Sequence, residues 1–190
     1  AVKSISLLLE KGPAFGRAAV VKDAKIKSVK AEIRPVLPEK RSVIPDVYNE
    51  LTVRFKGGYG LKLRAYDDGV AYRFFSSLPG EIVVKNEELV VHCAPDDSLF
   101  FGEETSFLSH SERLYPLRPA VDITETQFGG LPALSAKANG WKVAVTESDL
   151  LDYPGLYLKG QGRGTAAFGA LLPPCPLEEE LVGDRTVQVK

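Results

Sequence analysis

The feature that most limits the fold is an alternation of apolar and polar residues along positions 49–75. In the segment 50–55, Leu51, Val53 and Phe55 alternate with polar residues at positions 50, 52 and 54. A period of two is typical of a β-strand with one face in a core and the other in water. Turn sequences rich in Gly and Asp interrupt the alternation twice. The pattern therefore predicts a meander of three antiparallel strands, with Glu50 on its solvent face.

Further short segments have strand character and are bounded mostly by Gly, Pro, Asp or Asn. They are Ser4–Leu9, Ser28–Ile33, Glu81–Val84, Leu89–Cys93, Trp141–Val145, Leu156–Lys159, Thr165–Leu171 and Thr186–Val189. The best helix candidate is Thr146–Leu151, where Thr146 and Asp149 have the spacing of a helix N-cap. Residues 94–140 contain few strand patterns and predict long loops and edge strands within one domain. The expected architecture is all-β, with two packed antiparallel sheets.

Composition and charge exclude several classes of function. The chain has 24 basic and 25 acidic side chains, a formal charge of −1 and a pI near 6.2. A nucleic-acid binder would need clustered Lys and Arg, so neither nucleic acid nor an anionic membrane is expected as a partner. No apolar run approaches the roughly 18 residues of a membrane-spanning helix, so membrane insertion is not expected.

The ends and the cysteines bear on processing and compartment. The sequence begins without Met, which predicts a processed or truncated product. No signal peptide is visible, and we expect one to have been removed. Cys93 and Cys175 lie far apart and lack the spacing of a metal site. They are either two buried thiols or a single disulfide, which would require an oxidising compartment.

An acidic cluster is the candidate for metal chemistry. Glu147, Asp149 and Asp152 follow a predicted strand directly, where their oxygens would suit a hard cation such as calcium. The alternative is that Glu147 and Asp149 complement the positive end of a short helix. Three acids without EF-hand spacing do not complete a shell of about six to eight oxygens, so other ligands would have to come from elsewhere.

Other chemistry-bearing residues have structural interpretations. His92 and His110 show no pattern of nucleophilic catalysis. The glycine-rich segments 57–60 and 160–164 open no helix, so they lack the phosphate cradle of a helix N-terminus. The large aromatics are interpreted as core anchors, with stacking on sugar rings as the alternative; they are Trp141, Tyr153 and Tyr157. The acidic run 178–180 is interpreted as a solvated face.

Two parts of the sequence resemble a known family. The segments 48–53 (YNELTV) and 64–74 (RAYDDGVAYRF) resemble a strand–turn–strand signature of the N-terminal domain of glycoside hydrolase family 97. The segment 140–155 (GWKVAVTESDLLDYPG) resembles a second signature, a strand that runs into Glu-x-x-Leu-x-Asp-Tyr. The order and approximate separation of the signatures also agree with that domain.

The resemblance implies a large antiparallel β-sandwich of the galactose-mutarotase type, a super-sandwich that precedes a catalytic (β/α)8 barrel. The parent enzymes are bacterial, calcium-dependent, exo-acting α-glucosidases and α-galactosidases, which are periplasmic or secreted. Their catalytic carboxylates and most calcium ligands come from the barrel, and the sandwich is thought to supply one glutamate. By its place in the second signature, that metal ligand is Glu147 here; no catalytic residue is expected in this chain.

Residues 1–190 are thus expected to form the N-terminal, non-catalytic β-sandwich of a longer α-glycosidase and to be inactive alone. The implied partners are the barrel of the same parent chain and, in the intact enzyme, an oligosaccharide substrate. The substrate-binding residues of this chain stay unassigned. The alternative function is a stand-alone carbohydrate-binding or structural β-sandwich module.

Overall fold

A computed structural model describes residues 2–37, 40–137, 139–151 and 153–174, together with the backbone of 178–182 and 185–189. The chain divides into two units, Ser6–Lys85 and Ala1–Ile5 with Asn86–Lys190. The first six strands are β1 (Val2–Leu9), β2 (Val21–Ile33), β3 (Ile44–Phe55), β4 (Tyr59–Ala65), β5 (Val70–Ser76) and β6 (Val84–His92). The unit boundary falls within β1 and within β6.

The remaining strands are short. They are β7 (Ser98–Phe100), β8 (Glu103–Glu104), β9 (Leu117–Pro119), β10 (Phe128–Gly130), β11 (Ala133–Ala136), β12 (Lys142–Val145), β13 (Tyr157–Gly160), β14 (Ala167–Leu171), β15 (Glu178–Val182) and β16 (Arg185–Val189). Within the described residues, the one helical element is a 3-10 turn at Ala120–Asp122. No helix among these residues is long and apolar enough to cross a membrane.

In the unit Ser6–Lys85, the predicted meander is confirmed as β3, β4 and β5. They join β2 in a sheet of order β2-β3-β4-β5. Leu51 pairs with Leu63, which pairs with Tyr72, so apolar side chains line up on one face. Strand β2 is longer than the predicted segment 28–33, because it pairs with β3 over almost its whole length.

The other face of this sheet is not as wet as predicted. Glu50 is only 1 % exposed, because Arg64 and Lys27 from the neighbouring strands lie over it. The Arg64 Nε is 2.8 Å from one carboxylate oxygen of Glu50, and the Lys27 Nζ is 3.1 Å from the other. Long basic side chains cover a surface with their carbon stems while their charged ends reach the carboxylate. The alternation of apolar and polar residues along one strand cannot predict that side chains of neighbouring strands bury Glu50.

The core of this unit lies at one end of the apolar face. Phe15 stacks on Tyr59 with ring centroids 4.4 Å apart, and Leu9 is buried beside them. Phe55 and Phe74 pack against the same cluster. The turn from β3 to β4 needs glycine at position 58, where φ is +77° and an added Cβ would come within 2.9 Å of Leu78.

The other unit is a β-sandwich of antiparallel sheets, which confirms the predicted fold class. One sheet has the order β1-β6-β14-β13-β10-β8 and the second the order β12-β11-β7-β9. The core between them takes Leu158 and Phe168 from the first sheet and Leu99 and Ala133 from the second. Fully buried Ile123 joins this cluster from the turn after the 3-10 element.

Several sequence predictions differ from the structure or fall outside the described residues. The strand predicted at Glu81–Val84 begins only at Val84, and the Val83 carbonyl accepts a hydrogen bond from Glu10 outside any sheet ladder. Residues 94–140 contain the short strands β7 to β11. The segment 178–180 lies in the hairpin β15–β16, but its side chains, and with them the predicted solvated face, lie outside the described residues.

Candidate functional site

Glu147 lies two residues beyond the end of β12 and is half-buried. Its Oε1 accepts a hydrogen bond from the backbone N–H of Leu156 at 2.8 Å, which closes the loop between β12 and β13. A carboxylate has about four acceptor positions, so one hydrogen bond orients the group and leaves most of its capacity unused. No cation among the described residues pairs with Glu147. The side chain is therefore an oriented acid whose charge is not neutralised locally.

The helix predicted at Thr146–Leu151 is absent, and this prediction is wrong. Asp149 has φ of +62°, in the left-handed region, which ends any right-handed helical path. The Thr146 hydroxyl donates to the Glu147 carbonyl and does not accept from a backbone N–H, so it is no helix cap. Since Glu147 bonds the backbone of Leu156, it acts across an open loop. Asp149 is exposed, and Asp152, the third acid, lies outside the described residues.

A pocket of about 250 Å³ includes Glu147 in its lining. Part of its wall is formed by Tyr157, the first residue of β13, and by Leu156 directly before it. Glu104, Ser111 and Tyr115 form another part, and no sequence pattern predicts a role for them. Thus the structure brings the predicted ligand Glu147 together with a second acid and a tyrosine, neither of which lies near it in sequence.

The second acid, Glu104, is held differently from Glu147. Its carboxylate is buried and accepts a hydrogen bond from the Ser109 hydroxyl at 2.8 Å. The Arg113 Nη2 lies 3.0 Å from the same oxygen, so the charge of Glu104 is neutralised by a neighbouring cation. Both partners belong to the segment 105–116, here called the wall segment, which has no regular secondary structure. Glu104 therefore fastens the wall segment to the end of β8.

Comparison with known proteins assigns the family. A model of the glycosyl-hydrolase 97 N-terminal domain matches residues 2–185, nearly the whole chain. The chain belongs to this family. The assignment confirms the resemblance carried by the segments around Tyr72 and Glu147.

Family 97 relatives of known sequence and structure agree with this assignment. A retaining alpha-galactosidase of Bacteroides thetaiotaomicron is 30 % identical over 197 aligned positions, covering 97 % of this chain and 29 % of that protein. A family 97 enzyme from Pseudoalteromonas sp. strain K8 in complex with acarbose superposes with a TM-score of 0.73 at 19 % identity, covering 90 % of this chain and 26 % of the enzyme. A variant of that strain's family 97 enzyme in complex with panose gives 0.72 at 20 % identity, with the same coverage.

The structural likeness shows the fold, and the coverage shows its extent. This chain spans less than a third of the length of each of these relatives. The larger part of every such protein therefore has no counterpart in the family 97 domain described above.

The donor set can be tested against the calcium that family 97 membership implies. Among the described residues, no three His, Cys, Asp or Glu side chains converge as a metal site. Glu104 is already engaged by Arg113 and Ser109, which leaves Glu147 as the pocket carboxylate with free acceptor capacity. Calcium takes about six to eight oxygens. The residues therefore fit the role of supplying one ligand and do not fit a complete calcium site.

The three aromatic residues that were interpreted as core anchors have different environments in the structure. Tyr157 is an anchor, since its ring packs on those of Phe107 and Phe128 with centroids 5.1 and 5.8 Å apart. The Tyr153 hydroxyl donates to Glu87 at 2.9 Å. Trp141, in the turn between β11 and β12, is 72 % exposed, so its interpretation as a core anchor is wrong. Alternation does not reveal that a residue at a hairpin tip lies beyond the core.

A smaller cavity of about 130 Å³ is lined mainly by apolar residues that include Leu158 and Phe168 of the sandwich core. Cys93 and His92 also line it. Burial raises the pKa of the Cys93 thiol, so the uncharged form is favoured at neutral pH. Cys93 is a free thiol in this structure, and Cys175 lies outside the described residues. His110 is exposed on the wall segment, within 3.8 Å of Glu112.

Proposed function

We infer that this chain is the non-catalytic N-terminal β-sandwich of a calcium-dependent α-glycosidase, which packs on the catalytic barrel of its parent chain and supplies Glu147 as one calcium ligand. The observation that carries the proposal is the half-buried Glu147 carboxylate, oriented by the Leu156 N–H and lacking a neutralising cation in the described residues. The parent reaction is the hydrolysis of terminal α-galactosides or α-glucosides. The relative named as a retaining alpha-galactosidase favours this reaction class.

The surface near the pocket supports a docking role. Large apolar side chains are exposed on both segments that carry pocket residues, and Leu114 reaches 90 % exposure. The others are Leu108, Leu150 and Leu151. Exposed apolar side chains on segments that also carry pocket residues are typical of a protein contact. The proposed partner is the barrel of the same chain, and the proposed location is the periplasm or the cell exterior.

Within this arrangement the domain's own task is positional. The Leu156 N–H fixes the Glu147 carboxylate before any cation arrives, which lowers the cost of ordering it on binding. When bound, calcium would polarise the substrate and neutralise charge that develops in the reaction. The catalytic acids belong to the barrel, so the isolated chain is expected to be inactive.

The proposal is tested in the parent enzyme that carries this domain, with the substitution Glu147→Gln. Gln keeps the shape and the acceptor for the Leu156 N–H but removes the charge. We expect the calcium concentration for half-maximal activity to rise at least about tenfold, with reduced turnover. The matched control is Glu81→Gln, an exposed acid that is not among the pocket-lining residues, which should change neither quantity. Unchanged calcium dependence and rate in the Glu147 variant would remove it from the metal shell.

A second measurement uses the 190-residue chain alone. Because one carboxylate cannot replace a full coordination shell, titration calorimetry with calcium should show only weak binding. Tight binding by the isolated chain would place the metal site elsewhere and contradict the shared-ligand proposal.

A second candidate function rests on Trp141. An indole that is 72 % exposed at a hairpin tip can stack on a sugar ring, as in a stand-alone carbohydrate-binding module. Such a module should bind oligosaccharides on a glycan array, and Trp141→Ala should abolish binding while far-UV circular dichroism stays native. Binding that survives this substitution would remove the observation that favours the module.

A further inference from the structure

The wall segment is anchored firmly although it has no regular secondary structure. Near its start, the Phe107 ring packs on Phe128 with centroids 5.0 Å apart. In its middle, Ser109 and Arg113 bind the buried carboxylate of Glu104. At its end, the Pro116 carbonyl accepts a hydrogen bond from the Phe101 N–H at 3.1 Å. Irregular loops held at several points of a rigid scaffold are frequent carriers of binding residues.

Tyr115 is placed by a specific close approach to the backbone. Its ring lies so near Gly102 that a Cβ on that glycine would come within 2.7 Å of the Tyr115 Cζ. An added Cβ at position 102 would therefore force the Tyr115 ring to shift. Tyr115 nevertheless stays 42 % exposed and lines the pocket that contains Glu147. One side of the ring is fixed by the backbone, and part of its surface remains open.

The pocket chemistry suits a single sugar. Drug-sized ligands occupy pockets of roughly 300–1,000 Å³, so about 250 Å³ suits a smaller ligand such as one sugar ring. A tyrosine offers both an apolar ring and a hydroxyl that donates or accepts hydrogen bonds. Arg113 neutralises the charge of Glu104, so this acid is not available to bind a ligand. Tyr115 is then suited to bind a neutral polar ligand, and Glu147 is suited to bind a cation.

We propose that Tyr115 contacts the terminal sugar of the α-glycoside in the parent enzyme, and that Glu104 is the positioning residue for the segment that carries it. This inference rests on the proposed function, because it takes the Glu147 pocket to be part of the substrate site. It adds a substrate-contacting residue from the sandwich that acts separately from the metal.

The test measures KM and kcat of the parent enzyme on α-galactosides and α-glucosides that carry the same aryl leaving group. Tyr115→Ala should raise KM about three- to tenfold, the loss expected for one aromatic contact. The calcium concentration for half-maximal activity should stay unchanged. Tyr115→Phe separates the ring from the hydroxyl: KM near that of the parent assigns the contact to the ring, and KM near that of Tyr115→Ala assigns it to the hydroxyl.

Gly102→Ala leaves the tyrosine in the sequence but displaces its ring, so KM should rise as in Tyr115→Ala. Its matched control is Gly69→Ala, where an added Cβ meets nothing within 4 Å. For the positioning residue, Glu104→Ala should raise KM and lower the melting temperature. In Glu104→Gln, which keeps an acceptor for Ser109, KM should be partly restored. If Gly102→Ala or Glu104→Ala fails to fold, the two Tyr115 variants still decide the proposal.

The results separate this inference from the proposed function. Unchanged KM in Tyr115→Ala, with calcium dependence weakened in Glu147→Gln, would overturn the Tyr115 contact alone. Raised KM in Tyr115→Ala, with calcium dependence unchanged in Glu147→Gln, would contradict the role of Glu147 as a calcium ligand and support the contact of Tyr115 with the sugar. A calcium effect of Tyr115→Ala equal to its effect on KM would show general damage to the pocket and contradict the proposed contact.

Discussion

The acids of the β2–β5 sheet and of the pocket region are held in different ways. In the sheet, Glu50 is buried beneath Arg64 and Lys27. The guanidinium carbon Cζ of Arg64 lies 4.3 Å from the centre of the Tyr48 ring. In the pocket, Glu147 is half-buried and has one backbone donor. The first carboxylate is satisfied by its own sheet. The second has unused acceptor capacity, which a ligand can take up.

The electrostatics express the same contrast. The hydrogen bond from Arg64 holds the pKa of Glu50 below its usual value despite the opposing effect of burial. Glu50 in turn raises the pKa of Arg64. In the sandwich, burial alone would raise the pKa of Asp97, but the hydrogen bonds from Lys137 and the Ala94 N–H hold it below its usual value. We expect such internally paired acids to govern stability and Glu147 to govern function.

The largest effect is expected for Asp97→Ala. The Asp97 side chain is 2 % exposed, and its removal leaves both Lys137 and the Ala94 N–H without their acceptor. Breaking a buried pair in this way costs about 3–4 kcal/mol in the free energy of unfolding. Urea denaturation of the 190-residue chain measures this cost. Asp96→Ala, at the exposed neighbouring position, should stay within about 0.5 kcal/mol.

Glu50→Ala should destabilise the chain less, by about 1–3 kcal/mol. Although Glu50 is as buried as Asp97, its partners Arg64 and Lys27 are 38 % and 57 % exposed and can be rehydrated when it is removed. The control is Glu32→Ala, which breaks the exposed pair with Arg34 and should cost less than about 1 kcal/mol. Equal losses of unfolding free energy in Glu50→Ala and Glu32→Ala would show that the burial of Glu50 does not increase the contribution of its ion pairs to stability.

Acid should destabilise the chain to a smaller extent than these substitutions, because protonation leaves the carboxyl groups in place. Asp97 and Glu50 have lowered pKa values when folded, so the unfolded chain takes up protons first as the pH falls. Their contribution to stability is complete above about pH 5 and declines as the pH drops through about 4 and below. Urea midpoints across this range measure the decline, which should be shallower in Asp97→Asn. A rise in stability on acidification would contradict the ion-pair interpretation.

Local pattern predicted much of the fold. The strands β3 to β5 could be predicted from alternation and turn residues, because the apolar residues of each strand recur at every second position of one short segment. The length of β2 was missed because most of its residues are exposed, and pairing with β3 produces it. The helix at Thr146–Leu151 was wrongly predicted because cap-like spacing is a weak signal. In the structure this segment is an open loop, in which the Leu156 N–H donates a hydrogen bond to the Glu147 side chain.

The candidate site was predicted only in part. Glu147 was found through the family signature, as an expectation that the pocket geometry supports. Glu104 and Tyr115 were missed because they reach the pocket through tertiary contacts with Arg113 and Gly102, which no local spacing reports. The sequence Gly102-Glu-Glu104 offered one signal, a glycine beside two acids before an irregular segment, and this signal alone is not specific.

The smallest effect on stability is expected for Glu147→Gln, and it is the sharpest test of the contrast. Glutamine still accepts the Leu156 N–H, and no internal cation of the described residues loses a partner. The free energy of unfolding should therefore change by less than about 0.5 kcal/mol, as for ordinary surface substitutions. Urea denaturation beside Asp97→Asn gives the comparison. A loss as large as that of Asp97→Asn would make Glu147 a structural acid and remove the distinction between the two regions. A stable Glu147 variant whose parent enzyme needs more calcium would establish it.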